Sequence, residues 1–306
     1  MSFPSRSSRF AGQVAWNGVA FAVSLVSGFV LSPLVIRGLG IEAYGVWALV
    51  FSLLEYLNIA DLGIRSATVK YVAHYSALDD EPQVHRVLNS SIVYFLAMSG
   101  ALGLLVIFGA SWTLVFFKVP PELHAEYLNL LRLTGFTMAA QLLFNVPKAA
   151  LEAVQEFKLI SRINIMVNLI RTTACIFALY FQWGLSGLGW ATVLALWLGF
   201  AVIGYYFLRR FPGFRPSFWN FDRESFRRLL HYGLPTMAGT LANQFLHYGP
   251  PMLLGIVKDT ASVGYYTLVL RLLASLYEIV SQLGGMTGSL IAQLAAKMRM
   301  RRYSEA

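Results

Sequence analysis

The feature that most constrains this chain is a set of long segments without a charged side chain. The first runs from Phe10 to Ile36, and comparable runs occupy residues 87–117, 172–208 and 229–257. About 20 mostly apolar helical residues cross a bilayer core about 30 Å thick. Four runs of this length do not fit inside a soluble domain of 306 residues. The sequence therefore predicts an all-α, polytopic transmembrane helix bundle.

Composition agrees with a membrane protein and argues against other classes. The chain is 57% hydrophobic and 13% charged, about half the usual charged share. A net charge of +9 would also suit a nucleic-acid partner, but most basic residues stand between apolar runs, so we expect no nucleic acid. Cys175 is the one cysteine, and no His/Cys spacing suits zinc, so we expect no metal and no cofactor.

Turn signals divide the chain into eight predicted helices. The glycines of the stretch 37–40 end the first helix, and a tight hairpin over 182–187 divides the run 172–208. Pro147 predicts a kink, and Gly284-Gly285 a break. Predicted helices 1 to 8 cover residues 11–36, 43–71, 87–117, 127–151, 159–181, 188–208, 229–257 and 261–296.

The basic residues predict the orientation. Eighteen of the 24 Lys and Arg residues lie in loops or near helix ends on the side of the N-terminus, and three lie on the opposite side. The other three, Arg132, Arg171 and Arg271, lie farther inside predicted helices. Loops rich in Lys and Arg stay in the cytoplasm. Both the N-terminus and the C-terminus are therefore predicted to be cytoplasmic.

The segment 209–228 differs from the other connections. It carries six arginines, and aromatic residues alternate with them near its end. This pattern is typical of a short amphipathic helix on anionic membrane lipids. We predict a linker over 209–228 between a six-helix transmembrane lobe, residues 1–208, and the first two helices of a second lobe, residues 229–306.

A weak internal repeat supports two lobes. Residues 41–50, IEAYGVWALV, resemble residues 260–269, TASVGYYTLV, in leading from a turn through Gly-aromatic into a long helix. Chance similarity between apolar helices is the alternative. Related repeats are common in transporters, with the substrate site at their interface.

Predicted helix 2 carries Glu55, Asp61 and Arg65 along its length. Charges at membrane depth are costly and usually face a cavity or a partner. Asp61 and Arg65 are four residues apart, so they either form an internal ion pair or line a cavity. Leu62-Gly63 beside them indicates close helix contact or a local bend.

Other predicted helices also carry polar groups. Asn164, Asn168 and Arg171 form a stripe on predicted helix 5, suited to a cavity lining or to hydrogen bonds between helices. Asn243 lies midway along predicted helix 7, and Arg271 and Glu278 share a face of predicted helix 8. Because guanidinium groups bind phosphate in a bidentate manner, a cavity with several arginines would favour a polyanionic headgroup.

The motifs Pro33-Leu34-Val35-Ile36-Arg37-Gly38-Leu39-Gly40-Ile41-Glu42-Ala43-Tyr44-Gly45 and Asp61-Leu62-Gly63 resemble the first two helices of polysaccharide biosynthesis membrane proteins. These are flippases of O-antigen and lipid-linked oligosaccharides in the multidrug/oligosaccharidyl-lipid/polysaccharide exporter superfamily. Tyr232-Gly233-Leu234-Pro235 and Val263-Gly264-Tyr265-Tyr266 with Arg271 resemble the start of that family's second lobe. The resemblance covers essentially the whole chain.

The resemblance implies two six-helix lobes around a cavity in the bacterial inner membrane. Such proteins flip undecaprenyl-diphosphate-linked sugars by alternating access, alongside polysaccharide polymerase or glycosyltransferase machinery. Matching positions imply that Arg37, Arg65 and Arg271 hold the diphosphate, and the polar stripe adds Arg171. Glu55, Asp61, Asn164, Asn168, Asn243 and Glu278 would be the other polar or coupling groups of the cavity.

The sequence departs from the family pattern in having only two helices of the second lobe. It is expected to be a fragment, or a short form that pairs with another chain. A cation-coupled multidrug antiporter of the same superfamily is an alternative, supported by the acids in predicted helices 2 and 8. A membrane polymerase or ligase and a non-transporting assembly protein are further alternatives. No enzyme motif is found, so we expect no enzyme.

Overall fold

The computed structural model describes residues 6–217, 221–271 and 273, with side chains from residue 16 onward. Every regular element within these residues is helical, as the sequence predicted. The α-helices are α1 Arg6–Glu55, α2 Ile64–Ala77, α3 Glu81–Gly109, α4 Thr113–Phe116, α5 His124–Ala153, α6 Phe157–Tyr180, α7 Gly184–Arg210 and α8 Arg223–Val257. Short 3-10 helices cover Tyr56–Asp61, Ala110–Trp112 and Pro121–Leu123. A further helical segment occupies 260–271.

Helix α1 contains two predicted helices joined at a bend. Gly40 has φ 87° and ψ 168°, a conformation that side chains disfavour. The predicted turn over 37–40 is therefore confined to one residue, and Arg37 remains helical. The two arms of α1 cover residues 6–39 and 41–55.

The prediction of one continuous helix over 43–71 is wrong. The α-helix ends at Glu55, the chain tightens into the 3-10 helix Tyr56–Asp61, and α2 begins at Ile64. Leu62 has φ 49° and Gly63 has φ 70°, and two left-handed residues in succession cannot continue an α-helix. The local bend expected at Leu62-Gly63 is thus confirmed, and it divides the predicted helix at the end of its apolar stretch.

Helix α3 begins six residues before its predicted start. Asp80 accepts a hydrogen bond from the backbone N–H of Gln83, and Pro82 occupies the first turn, where its missing N–H costs nothing. The helix ends at Gly109 instead of residue 117, and α4 follows as a separate turn.

The predicted amphipathic helix over 209–228 is not formed as a separate element. Arg209 and Arg210 end α7, and residues from Arg223 onward belong to α8. The connection between them is tied to α3, because the backbone N–H of Ser217 donates to Asn89 Oδ1 at 3.0 Å and that of Asp222 donates to Ser90 Oγ at 3.2 Å.

Four stretches of the described residues are long and apolar enough to cross a membrane. They are Trp16–Asp61, Glu81–Phe116, Phe157–Tyr180 and Gly184–Arg210. The first contains the two predicted helices that meet at Gly40. Helices α5 and α8 do not reach the same hydropathy, since both carry internal polar residues and prolines.

Helix α8 packs against α1, α2 and α3, whereas α6 and α7 pack against each other, with α6 also on α1 and α7 on α5. A buried apolar cluster joins α2, α3, α5 and the start of α8; its fully enclosed members include Ile64, Leu88, Phe95 and Leu229. The bundle therefore has two sides, one covered by α8 and the other formed by α6 and α7.

Glycines allow the backbones to meet where α8 and the following segment cross the chain. A Cβ on Gly45 would overlap the carbonyl oxygen of Thr260, and a Cβ on Gly264 would lie 2.7 Å from the carbonyl oxygen of Ile41. The internal repeat aligns Ile41 with Thr260 and Gly45 with Gly264. Each glycine thus contacts the counterpart of the residue that the other contacts, as a two-fold axis between repeats would produce.

A second glycine contact joins the break before α2 to helix α8. A Cβ on Gly63 would overlap the carbonyl oxygen of Gly233, and one on Gly233 would lie 2.5 Å from the carbonyl oxygen of Leu62. Small residues at helix contacts are typical of membrane bundles, where close backbone approach replaces the hydrophobic effect. The broken helix therefore contacts α8 near Gly63 and the segment that follows α8 near Gly45.

Candidate functional site

The interruption between α1 and α2 organises the polar groups that the sequence singled out. Asp61 ends the 3-10 helix, and its Oδ1 accepts the backbone N–H of Arg65 at 3.0 Å. The carboxylate thus meets the positive end of α2, which stabilises negative charge. A discontinuous helix at membrane depth is also where transporters commonly build ion and substrate sites.

Arg65 forms an ion pair with Glu152 of α5. Its Nη2 lies 2.5 Å from Glu152 Oε1, and the two side chains are 33% and 15% exposed. The charge of Lys148, one turn before Glu152, also interacts with both. We call Asp61, Arg65, Lys148 and Glu152 the charge cluster. Two cations and two carboxylates give it a formal net charge of zero.

The charge cluster clarifies the relation between Asp61 and Arg65. The sequence left open an ion pair between their side chains or a cavity lining. In the structure Asp61 accepts from the Arg65 backbone, while the Arg65 guanidinium reaches α5. The partner is 87 residues away, which helix periodicity cannot reveal.

Glu55 stands one helical break away from Asp61 and has a different environment. The amide of Asn58 donates to Glu55 Oε2 at 2.7 Å. Nearby, the Tyr94 hydroxyl donates to the carbonyl oxygen of Ala60 at 2.7 Å, which satisfies a backbone acceptor freed by the irregular turn. Glu55 is thus a half-buried carboxyl group with a neutral hydrogen-bond partner.

The polar stripe on α6 forms as the sequence predicted. Asn168 Nδ2 donates to the carbonyl oxygen of Asn164 at 3.1 Å, and Arg171 Nη2 donates to Asn168 Oδ1 at 3.0 Å. Asn164 is exposed, whereas Asn168 and Arg171 are half-buried. Asn168 therefore holds the guanidinium through a neutral amide.

The arginines of the predicted phosphate site lie on separate helical segments. Arg37 is exposed beside the bend at Gly40, and the 15 residues of the following arm, about 22 Å, separate that bend from the break before Arg65. Arg171 follows the start of α6 by about 21 Å of helix. Arg271 is half-buried in the helical segment that begins at residue 260. Glu278 lies outside the described residues.

Helix α8 presents its amide side chains unequally. Asn243, the predicted cavity residue, is exposed, whereas its neighbour Gln244 is 6% exposed. Gln244 Oε1 has no hydrogen-bond partner among the described residues. The sequence singled out Asn243, and packing shows that its neighbour Gln244 is the buried amide.

Sequence reasoning did not assign a role to Glu152 or Lys148. Both lie in the last two turns of α5, where they appeared to belong to an ordinary helix end facing water. A usable signal was their spacing of four residues on a helix that also carries Pro147 and Asn145. Such a polar turn next to an apolar run is typical of a buried network.

Chemically, the site combines a charge cluster of zero net charge with a stripe in which neutral amides hold the positively charged Arg171. A balanced cluster can shift between arrangements without placing net charge in the hydrocarbon, whereas a guanidinium held by an amide keeps its charge for an anion. No group of three His, Cys, Asp or Glu among the described residues is arranged to hold a metal ion.

Comparison with known proteins gives a family match and several relatives. The family model described as polysaccharide biosynthesis protein matches residues 12–286. A putative O-antigen transporter of Shigella flexneri is 21% identical over 222 residues, which are 71% of this chain and 51% of that protein. The chain thus spans about half the length of this relative.

Solved structures of similar fold include transporters in two conformations. An inward-facing multidrug resistance MATE family transporter of the MOP superfamily has TM-score 0.66 at 16% identity, covering 81% of this chain and 56% of its own. An outward-facing one has TM-score 0.66 at 17% identity, covering 88% and 67%. A MOP superfamily transporter from Pyrococcus furiosus has TM-score 0.63 at 16% identity, covering 87% and 67%. The similarity is to the shared fold.

Proposed function

Because the chain belongs to the polysaccharide biosynthesis protein family, we propose that it moves lipid-linked oligosaccharide or polysaccharide units across the bacterial plasma membrane. The family match over residues 12–286 carries this proposal. The similarity to a putative O-antigen transporter supports it. The chain covers 51% of that relative, so transport by this polypeptide, alone or with a further part, belongs to the proposal.

The proposed movement uses two lobes, residues 1–208 and 229–306, with 209–228 between them. The reciprocal contact of Gly45 and Gly264 supports such an arrangement, because related lobes would meet through equivalent residues. Opening and closing of the lobes would give the substrate access from each side in turn. The positive-inside bias supports a cytoplasmic location for both termini.

In this proposal the diphosphate of the carrier lipid is held by arginines. Arg171 is the strongest candidate, because it lies half-buried within an apolar helix and belongs to the polar stripe with Asn164 and Asn168. Arg37 and Arg271 would contact the substrate at other stages, while Arg65 exchanges between Glu152 and phosphate. Glu55, Asp61, Asn164, Asn168, Asn243 and Glu278 complete the proposed cavity. No cofactor is required.

Cation-coupled antiport is a second candidate, favoured by one observation. Glu55 is a half-buried carboxyl group at membrane depth whose hydrogen-bond partner, Asn58, is neutral. Carboxyl groups in this setting are typical proton or cation carriers. The multidrug transporters of similar fold make this candidate specific enough to test.

The test is complementation of a bacterium that lacks its O-antigen flippase. The 306-residue chain is expressed beside a version fused in frame to the four remaining helices of a related second lobe. Surface polysaccharide is measured, and membrane abundance is checked by immunoblot. We expect the fused version to restore surface polysaccharide, and a Glu55→Gln variant to retain this activity.

Two results would contradict the proposal. Failure of both versions at normal abundance would remove oligosaccharide transport as the function. Drug resistance conferred by the wild type and lost in Glu55→Gln, without any rescue of polysaccharide, would establish the antiport candidate instead.

A further inference from the structure

A basic cavity lies on the side of the bundle opposite α8, at the ends of α6 and α7. Its volume is about 400 Å³, within the range of small-molecule sites. Lys158 and Arg162 come from the first turns of α6, and Arg209 and Arg210 come from the last turn of α7. One acid, Glu156, lines the same cavity. Four cations and one carboxylate give the lining a formal net charge of +3.

The cations converge on this cavity from two helices. Salt bridges among the described residues join Arg65 to Glu152 and Arg228 to Glu224, and neither includes a cation of the cavity. Snorkelling of basic side chains towards headgroups explains cations that spread over a surface. It does not explain a concave site that gathers four of them.

Aromatic rings hold the basic side chains in position. The guanidinium carbon of Arg162 lies 4.7 Å from the centre of the Trp16 ring, and Lys158 Nζ lies 5.9 Å from it. Tyr206 lines the cavity, and the Arg209 guanidinium stacks on Tyr205 at 5.7 Å. Trp and Tyr favour the boundary between headgroups and acyl chains, so this arrangement belongs at that depth.

Below the charges the wall is apolar. Ile160, Ile163, Ile203 and Leu151 form a buried cluster, and Leu151 and Leu159 line the cavity itself. A charged rim above an apolar wall matches a molecule with an anionic head and hydrocarbon tails. Basic pockets between helices at the cytoplasmic face suit phospholipid headgroups that carry phosphate.

We propose that this cavity, which we call the α6–α7 pocket, binds the phosphate headgroup of an anionic bilayer phospholipid. The formal charge of +3 favours a headgroup with two phosphates, so cardiolipin is the most suitable probe. The proposal does not depend on the transported substrate. The lipid would fix the ends of α6 and α7 relative to the membrane surface.

The test measures cardiolipin binding to the purified full chain by titration in phosphatidylcholine nanodiscs. A Lys158→Gln/Arg162→Gln variant removes two cations from one wall, and Arg209→Gln/Arg210→Gln removes two from the other. We expect each pair to weaken binding about thirtyfold, because each basic residue near an anionic surface contributes about a factor of five. An Arg132→Gln/Lys258→Gln control removes two exposed cations outside the pocket and outside the segment 209–228, and is expected to leave the affinity within a factor of two.

Several results would overturn the assignment. An equal loss in the control pair would mean that binding follows total charge instead of the pocket. A wild-type chain that shows no preference for cardiolipin over phosphatidylcholine would exclude the lipid site. Undecaprenyl diphosphate that displaces cardiolipin and depends on the same four residues would make the pocket part of the substrate path. Size-exclusion profiles and melting temperatures in pure phosphatidylcholine show whether each double variant is folded. If only one double variant folds, its cardiolipin affinity alone tests the proposal.

Discussion

The two sides of the helix bundle treat charge in opposite ways. On the side covered by α8, Arg65 and Lys148 face Asp61 and Glu152, and the charges balance. On the other side, α6 carries Lys158, Arg162 and Arg171 and contains no acid in its sequence, and the α6–α7 pocket adds two more arginines. Cations with carboxylate partners stabilise the protein, whereas the four cations of the α6–α7 pocket, which outnumber its one acid, Glu156, favour an anionic ligand.

This contrast separates the arginines that the sequence treated alike. Arg65 and Arg171 were both expected to grip phosphate. Arg65 would first have to leave Glu152, at the cost of an uncompensated half-buried carboxylate, whereas Arg171 would exchange a neutral amide for phosphate. The difference predicts distinct mutational behaviour on the two sides.

The largest effect is expected from Gly45→Leu on the α8 side. The new side chain would overlap the Thr260 backbone, which cannot move away as a flexible side chain would, so we expect a loss of about 3 kcal/mol or more. Melting temperature and monodispersity in detergent measure the effect. Gly100→Leu is the matched control, because nothing lies within 4 Å of a Cβ there. Equal melting of the two variants would mean that the crossing does not hold the segment 260–271 against α1.

Glu152→Gln tests the balance of the charge cluster. It leaves Arg65 without its carboxylate, and since Arg65 is a third exposed, we expect a loss of about 1–3 kcal/mol. A double-mutant cycle with Arg65→Gln should show coupling, with the double variant more stable than Glu152→Gln alone. Additive changes in melting would contradict a pair that acts as a unit.

Arg171→Gln is expected to change transport and hardly alter stability. The side chain is half-buried and its described partner is an amide, so we expect a stability change of about 0.5 kcal/mol or less and at least a tenfold loss of surface polysaccharide in the fused complementation system. Arg132→Gln removes one exposed arginine on α5 and serves as the control. Normal polysaccharide with Arg171→Gln would remove this residue from the proposed site.

The last prediction concerns the stability contributed by the cap of α8. Hydrogen bonds from the Ser225 hydroxyl, then from the backbone N–H groups of Ser225 and Glu224, hold the pKa of Asp222 below its usual value. A depressed pKa means that this stabilisation is present above the unfolded pKa, about 3.9, and disappears as pH falls through the folded value. Asp222→Ala should therefore cost about 1 kcal/mol at pH 7 and less below pH about 4. Melting at both pH values measures it, and a constant difference would exclude the charged cap.

The sequence predicted the helices because uncharged length and turn residues are local properties. Predicted helices 5 and 6 agree with α6 and α7 within a few residues. Asp80, which caps α3, could have been recognised as a helix start, but the prediction followed the later uncharged run instead. The break at 56–63 was only partly foreseen. A left-handed Leu62 depends on packing of the whole turn, which propensity alone does not specify.

The site was less accessible to sequence reasoning. The stripe of Asn164, Asn168 and Arg171 follows helix periodicity and was predicted. The partnership of Arg65 and Glu152 joins helices 87 residues apart, and the α6–α7 pocket joins the start of one helix to the end of the next. Such contacts depend on which faces of the helices meet. In the sequence, the cations near the helix ends fit the ordinary excess of Lys and Arg on the cytoplasmic side, and only the structure shows that four of them line one cavity.

The reciprocal contact of Gly45 and Gly264 has a consequence for how this chain can evolve. Because the two repeats meet through equivalent backbone atoms, a side chain added at Gly45 or at Gly264 would overlap the main chain of the other repeat. The two positions are therefore subject to the same limit on side-chain size. A substitution in one repeat can survive only if the crossing shifts, which alters the fit of the other. Across relatives, these two distant positions should therefore vary together, and their mutational histories should be coupled as those of one site.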